Sequence, residues 1–199
     1  MDLDITAATW QRWCFVSLAL IVTMAVDSDL REQRISNVVV LLGLFGGVLL
    51  NGIGPANGQA GMFSPFPGAL GAVQALLGAL LGLALFLPLY LIRAMGAGDV
   101  KLLAALGAFV GPQEVFSLAL SILLAGGVLA VARMLWTGKS RQVLSNVWLA
   151  LGGMGLGAAR RFDPVTQSAD RMPYALAFAA GLLLYSGWRS MGGAPLISL

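Results

Sequence analysis

Long apolar runs follow one another along this chain, with few charged residues between them. A helix needs about 20 apolar residues to cross about 30 Å of hydrocarbon. Hydrophobic residues make up 58% of the 199 residues and charged residues 11%, whereas a soluble domain carries roughly 25% charged residues. The pattern predicts an all-α, polytopic membrane protein and excludes a soluble enzyme. We expect about six transmembrane helices, at 9–28, 36–53, 69–92, 98–112, 114–136 and 173–191.

Two residue counts narrow the chemistry that such a protein can perform. The chain has no histidine and a single cysteine, Cys14, which lies inside an apolar run. These counts exclude histidine-dependent nucleophilic catalysis, histidine-ligated zinc, disulfide frameworks and cysteine-ligated iron–sulfur clusters. Polar chemistry then depends on carboxylates, hydroxyls, amides, lysine and arginine. We expect neither a metal ion nor a cofactor.

Basic residues are distributed unevenly between the connections. Ten of the twelve lie in or just beside the connections after the first, third and fifth apolar runs, and only Arg12 and Arg189 lie on the other side. The positive-inside rule then places both termini outside the cytoplasm. We interpret 1–199 as a single membrane domain with a cytoplasmic loop at 137–172. Within that loop, basic residues flank the apolar segment 143–158, which we expect to lie on or dip into the cytoplasmic face rather than form a seventh span.

The carboxylates are the main candidates for chemistry. Most of the nine acidic residues, Glu114 among them, fall in tails or connections and are interpreted as solvated charges. Asp27, Asp29 and Asp99 instead lie at the ends of apolar runs, where an ionisable group is a functional candidate. The predicted topology places Asp29 and Asp99 at the same depth on the cytoplasmic side. Asp27 and Asp29 are separated by about 200° around a helix, so only one of them can face a partner on another span. Their spacing does not show which one does.

The residues around Asp99 suggest how such a site could be shaped. Gly96 and Gly98 remove side chains beside the carboxylate, so another backbone could approach closely. Lys101 is interpreted either as an interfacial anchor or as a residue that positions the substrate or a loop. Asn37 either helps to cap the second span or belongs to the site.

Other conspicuous residues are interpreted as structural. Trp10 and Trp13 suit an interfacial position at the start of the first span. Gly107, Gly126 and Gly127 are expected to let helices pack closely.

Three segments together resemble type IV prepilin peptidases, which are GxGD aspartyl proteases. Residues 96–102 (GAGDVKL) resemble the family's GxGD stretch, and 172–177 (MPYALA), followed by Gly181, resemble the start of its last span. Residues 29–37 (DLREQRISN) resemble its first-aspartate motif, and this register selects Asp29 over Asp27. The family usually has proline where this chain has Ser36, which could cap the second span instead.

The resemblance implies that Asp29 and Asp99 are catalytic and that the protein cleaves the N-terminal leader of prepilins at the cytoplasmic face of the bacterial inner membrane. Larger members have a long cysteine-rich first loop and also N-methylate the product. The short first connection here resembles the peptidase-only form that accompanies tight-adherence (Flp-type) pili. The expected partners are prepilins and the lipid bilayer, with no nucleic acid. The sequence determines neither the oligomeric state nor the particular pilin.

Two other classes of protein were weighed against this interpretation. A small proton-coupled transporter would carry its carboxylates near the middle of the bilayer and often has internal repeats, whereas these acids lie at one edge. A non-catalytic membrane subunit of a pilus-assembly machine would not need a pair of aspartates.

Overall fold

A computed structural model describes residues 6–55, 61–64, 68–92, 94–137 and 174–195, and these residues form six α-helices. All six lie within a few residues of the predicted apolar runs, so the all-α prediction is confirmed. Almost all of the predicted loop at 137–172, including 143–158, lies outside the described residues. The helices are α1 (Ala7–Glu32), α2 (Asn37–Ile53), α3 (Ala72–Leu91), α4 (Ala97–Val110), α5 (Pro112–Thr137) and α6 (Ala175–Ser190).

Local capping explains where the first two helices begin and end. The Thr6 hydroxyl accepts a hydrogen bond from the Thr9 N–H at the start of α1. The helix ends at Glu32: the cap residue Gln33 still donates its N–H to the Asp29 carbonyl, but its left-handed backbone (φ 52°) turns the chain out of the helix. The Ser36 hydroxyl accepts from the Val38 N–H at the start of α2. Ser36 therefore supplies the cap that was expected in place of proline.

Helix α4 is the central element of the bundle. Every residue from Leu102 to Val110 is buried, and α4 packs against α1, α2, α3 and α5. A helix that is apolar all round is stable only when neighbouring helices cover it. The short length of α4 is therefore compatible with its central place, because its backbone and side chains are enclosed by protein.

The closest helix crossing joins α3 to α4 through glycines. A Cβ added at Gly78 would collide with the carbonyl oxygen of Gly107, and one added at Gly107 would collide with that of Gly78. One turn further along, a Cβ at Gly82 would lie 2.7 Å from the carbonyl oxygen of Leu103. Small residues at such crossings let helix backbones approach closely in membranes. The packing role expected of Gly107 is confirmed.

The outer surface of the bundle is strongly apolar. Large hydrophobic side chains are exposed along α2, α3 and α5, among them Phe45, Leu80 and Val128. Three helices in the described part of the chain are long and apolar enough to cross a membrane: Ala7–Glu32, Ala72–Leu91 and Pro112–Trp136, while α2 is a shorter apolar helix. An apolar exterior of this extent suits contact with lipid rather than water. The chain is a helical integral membrane protein.

The two tryptophans at the start of α1 lie in different surroundings. Trp13 is exposed, as expected for an interfacial residue, but Trp10 is buried and donates from its indole nitrogen to the Leu50 carbonyl over 2.8 Å. Trp10 therefore packs inside the bundle rather than on its outer surface. The Leu50 carbonyl, in the last turn of α2, also accepts the N–H of the cap residue Gly54, so what this contact adds is a partner for the buried indole N–H.

Candidate active site

Asp29 lies in the last turns of α1, yet its side chain is tied to the beginning of α6. The carboxylate is buried, with 9% of the residue exposed, and its Oδ2 accepts a hydrogen bond from the Ala175 backbone N–H over 3.0 Å. Ala175 is the first residue of α6. The first N–H groups of a helix have no helical partner and carry partial positive charge, so this position suits an ionised carboxylate.

Asp99 has a similar environment at the beginning of α4. It is also 9% exposed, and its Oδ2 accepts from the Gly96 backbone N–H over 3.1 Å. Gly96 is the N-cap residue of α4, so the Asp99 side chain bonds back to the N–H of the residue that begins its own helix. An acidic residue in the first turn interacts favourably with the helix dipole. Each aspartate is therefore held by a backbone N–H group at a helix start.

The fold brings these two carboxylates together. Helices α1 and α4 are in contact, and the charge of Asp29 acts on Asp99. Asp27, by contrast, points outward and forms an exposed ion pair with Arg31 (2.7 Å) on the next turn of α1. We call the end of the bundle that contains Asp29 and Asp99 the carboxylate end. Of the two neighbouring acids on α1, Asp29 is the buried one, as its register in the motif predicts.

One side-chain hydroxyl forms two hydrogen bonds that stabilise the connection between α1 and α2. Ser28 donates from Oγ to the Arg34 carbonyl (2.7 Å) and accepts from the Ser36 N–H (3.2 Å). Within this turn, Ile35 packs against Gly98, where an added Cβ would lie 3.0 Å from the Ile35 Cβ. The absence of a side chain at Gly98 therefore lets the α1–α2 connection lie directly against the start of α4.

Gly96 and Gly98 thus differ in their surroundings. A Cβ at Gly96 would lie 3.3 Å from Oδ2 of Asp99, so this glycine borders the carboxylate itself. Gly98 faces the Ile35 side chain instead. The contact at Gly98 supports a packing role at this position.

Two further predicted site residues meet each other at the carboxylate end. Lys101 donates from Nζ to Oδ1 of Asn37 over 3.1 Å, and both side chains are exposed. Asn37 is the first residue of α2, so the contact joins the starts of α2 and α4. The cap of α2 comes from Ser36, which leaves the Asn37 amide free for this contact.

Sequence reasoning missed a polar cluster at the opposite end of the bundle. Glu114, at the start of α5, pairs with Arg189, at the end of α6, over 2.8 Å, and their side chains are only 13% and 11% exposed. Tyr185 also donates to Glu114, and Arg189 donates to the Phe63 carbonyl over 2.9 Å. The interpretation of Glu114 as a solvated charge was wrong because α6 covers it and supplies both partners.

Asn51 is a second buried polar residue that the sequence did not single out. Its amide nitrogen donates to the carbonyl groups of Ala108 (2.9 Å) and Phe109 (3.2 Å) in the last turn of α4. Its Oδ1 accepts from the Leu70 N–H over 3.1 Å. Asn51 therefore satisfies backbone groups where α4 ends, and a polar residue inside an apolar run was the signal that could have identified it.

The arrangement at the carboxylate end suits proton transfer. Two neighbouring carboxylates do not both ionise easily, so the pair can hold one proton between them. Within the ranges that the structure describes, no three His, Cys, Asp or Glu side chains gather as a metal-binding group. The groups available for catalysis at the carboxylate end include two carboxylates, helix N–H groups and the Lys101 ammonium.

Comparisons with known proteins show which family this sequence resembles. Fold and site together define a helical membrane protein with paired carboxylates at one end of its bundle. A model of the type IV leader peptidase family matches residues 14–131, which include both aspartates. The chain belongs to the type IV leader peptidase family.

A curated relative shows the same relationship over a longer segment. The chain is 36% identical over 158 residues to a Dickeya chrysanthemi protein named prepilin leader peptidase/N-methyltransferase. The aligned segment covers 71% of this chain and 47% of that protein, so the chain spans about half the length of the relative it matches. No solved structure matches the chain.

Proposed function

We propose that the protein is a membrane aspartyl endopeptidase that removes the N-terminal leader of prepilins. The observation that carries this proposal is the pairing of Asp29 and Asp99, two buried carboxylates from different helices whose charges interact. Membership in the type IV leader peptidase family supports the substrate class. Buried ionisable groups at membrane depth are costly and are retained chiefly where they have a function.

The proposed reaction uses one proton shared by the two aspartates. The ionised carboxylate accepts a proton from water as the water oxygen bonds to the scissile carbonyl carbon. The protonated aspartic acid gives its proton to the carbonyl oxygen, which forms a tetrahedral diol. The carbon–nitrogen bond then breaks, the first carboxylate passes its proton to the leaving nitrogen, and a diol proton returns to the second. The pair again holds one proton.

We further propose that cleavage occurs at the cytoplasmic face. The charge distribution supports this orientation, since ten of the twelve basic residues fall in or just beside the connections at the side where Asp29 and Asp99 are expected. In this arrangement six helices span the inner membrane, both termini lie outside the cytoplasm, and 1–199 acts as one peptidase domain. The basic leader of a prepilin would then approach the carboxylate end from the cytoplasm.

Lys101, Asn37, Gly96 and Gly98 are proposed to set the geometry of the site. The Lys101–Asn37 hydrogen bond and the contact of Ile35 with Gly98 both hold the α1–α2 connection against α4. Because Asp29 ends α1 and Asp99 begins α4, these contacts support the relative placement of the two carboxylates. A displacement of about 1 Å in an active site can lower the rate about 100-fold.

The proposed activity is peptidase activity without N-methylation. Helix α1 ends at Glu32 and α2 begins at Asn37, so the first connection is short and contains no cysteine. Its length supports the likeness to the short, tight-adherence form rather than to members with a long cysteine-rich loop at this place. We therefore propose Flp-type prepilins as the substrates.

The direct test is cleavage of a purified Flp-type prepilin by the purified protein in detergent or lipid. The expected result is loss of the leader, with the new N-terminus free and unmethylated when a methyl donor is supplied. Failure to cleave any prepilin under conditions where the protein remains folded would contradict the proposal. Cleavage followed by methylation would contradict only its second part.

A further inference from the structure

Ser28 lies near the end of α1, and its hydroxyl bonds outside its own helix. A serine or threonine inside a helix often bonds back to the carbonyl group four residues earlier. Thr23 on the same helix does so, since it donates to the Ala19 carbonyl over 2.7 Å. The Ser28 hydroxyl instead bonds to Arg34 and Ser36, six and eight residues further along the chain. Ser28 therefore holds the α1–α2 connection rather than its own helix.

The two partners of Ser28 belong to the peptide groups on either side of Ile35. The Arg34 carbonyl, which accepts from Ser28 over 2.7 Å, precedes Ile35, and the Ser36 N–H, which donates to Ser28 over 3.2 Å, follows it. One hydroxyl thus holds both peptide groups of Ile35 and fixes the direction in which its side chain leaves the backbone. This arrangement needs a group that donates and accepts at once, as a hydroxyl does.

The Ile35 side chain faces the start of α4. A Cβ added at Gly98 would lie 3.0 Å from the Ile35 Cβ and 3.4 Å from its Cγ1, so Ile35 lies directly against the α4 backbone. Gly98 immediately precedes Asp99, and Ser28 immediately precedes Asp29. A continuous series of bonds and contacts therefore leads from one aspartate to the other through Ser28, Ile35 and Gly98.

We propose that Ser28 is a positioning residue of the active site, whose hydroxyl acts through Ile35 to set the separation of Asp29 and Asp99. This role rests on the proposed peptidase function and assigns a further side chain to it. Two carboxylates share one proton only while they remain close together. A displacement of about 1 Å in an active site can lower the rate about 100-fold, so a loosened connection should slow cleavage.

The pH dependence of cleavage reports the separation of the two carboxylates. A close pair loses its two protons in well-separated steps, and the singly protonated form is the reactive one, so the pH–rate profile is a broad bell. When the pair moves apart, the two steps approach each other and the bell narrows. A smaller fraction of folded protein would instead lower the rate at every pH without changing this width.

Ser28 carries no charge, so its replacement adds and removes no charge near the pair. Of the charged groups around it, Asp27 pairs with Arg31 on the surface and Lys101 is bonded to Asn37. Helix α2 carries no ionisable side chain. The other titratable side chains toward this end of the described helices and connection are Glu32, Arg34, Tyr90, Arg133 and Tyr174.

The test compares Ser28→Ala with the wild type in prepilin cleavage across pH. Loss of the hydroxyl should lower kcat about tenfold with KM nearly unchanged, and the bell should narrow from both sides. Ser28→Thr keeps a donor and an acceptor and should restore most of the rate and the wild-type width. Thr23→Val removes an exposed hydroxyl from the same helix and should leave kcat and the profile unchanged. A Ser28→Ala enzyme with wild-type kcat and width would overturn the proposal.

A second measurement does not depend on activity. Ile35→Cys combined with Gly98→Cys places two thiols on Cβ positions 3.0 Å apart, close to the separation of about 3.5–4.5 Å in disulfides. The native Cys14 is fully buried and can remain in place. Mild oxidation with copper phenanthroline should cross-link the two new thiols, and Ser28→Ala should slow the cross-linking several-fold.

The two measurements separate the role of Ser28 from the proposed function. A cross-linking rate that Ser28→Ala leaves unchanged would overturn the role of Ser28 whatever the cleavage assay shows. A wild-type protein that cleaves no prepilin would contradict the proposed function, while cross-linking would still test whether Ser28 holds Ile35 against Gly98.

Discussion

Lys101 of α4 and Asn37 of α2 are joined by a 3.1 Å hydrogen bond across the carboxylate end. The two residues are 64 positions apart in the chain, and neither is buried. Their contact spans the place where the α1–α2 connection meets the start of α4. An exposed hydrogen bond contributes modestly to stability, about 0.5–1.5 kcal/mol, so its greater effect should be on the geometry of the site.

We predict that Lys101→Met and Asn37→Ala each lower kcat about tenfold or more, because either change frees the α1–α2 connection from α4. The double variant should be no slower than the more impaired single variant, since both substitutions remove the same hydrogen bond. Cleavage rates of the four proteins measure this coupling. Effects that multiply in the double variant would show that the two side chains act independently, for example through separate contacts with substrate.

The crossing of α3 and α4 predicts a large effect on stability from a single methyl group. Gly78→Ala places a Cβ against the Gly107 backbone, where no flexible side chain can yield. We expect the free energy of unfolding in detergent to fall by about 1–3 kcal/mol or more, the range for overpacked interiors. Thermal or denaturant unfolding measures the change.

Gly127→Ala is the matched control for Gly78→Ala. Among the described residues, a Cβ at Gly127 meets nothing within 4 Å, so the described part of the bundle shows no packing role for this glycine. Alanine also favours a helix interior over glycine by about 1 kcal/mol. The control should therefore keep or slightly raise stability. Equal losses in both variants would show that the α3–α4 crossing is looser than the structure indicates.

The buried ion pair at the end opposite the carboxylate end predicts that replacing one partner lowers stability more than replacing both. Arg189→Met leaves Glu114 covered and without its cationic partner, which typically costs about 3–5 kcal/mol. Combining it with Glu114→Gln should recover part of that loss. Arg31→Met, at the exposed pair with Asp27, should cost no more than about 1 kcal/mol. Unfolding measurements that found equal losses for Arg189→Met and Arg31→Met would contradict the buried placement of Glu114.

The proposed orientation predicts the location of two reporters. A reporter fused after Leu199 should be active outside the cytoplasm, and one inserted at 139–141 should be active inside it. Activity of paired periplasmic and cytoplasmic reporters measures both positions in living cells. A cytoplasmic C-terminus would contradict the six-span arrangement and indicate that 143–158 crosses the membrane.

The helices could be predicted from sequence, and Asp29 and Asp99 could be singled out there, because each step depends on local or simple global patterns. Apolar length determines where a span can lie, and the charge bias places Asp29 and Asp99 at one depth. The choice between Asp27 and Asp29 came from the motif register rather than from periodicity. The structure shows its physical basis, since Asp29 faces the start of α6 whereas Asp27 pairs with Arg31 on the surface.

What could not be predicted depends on which helices face each other. Glu114 and Arg189 are 75 residues apart, and each lies at a helix end where solvation is the ordinary expectation. Gly126 and Gly127 are adjacent and look alike in sequence, yet among the described residues Gly126 borders the Tyr174 phenol while Gly127 has no such neighbour.

The central claim is that Asp29 and Asp99 together form the reacting pair, and the most direct measurement is prepilin cleavage by three asparagine variants. Asp29→Asn and Asp99→Asn should each lose at least about 100-fold in rate, since removal of either carboxylate removes the general acid or the general base. Asparagine keeps an oxygen that can accept from Ala175 or Gly96, so both variants should remain folded. Asp27→Asn, which changes an exposed acid two residues from Asp29, should cleave at nearly the wild-type rate. Loss of cleavage in Asp27→Asn with normal cleavage in Asp29→Asn would contradict the account.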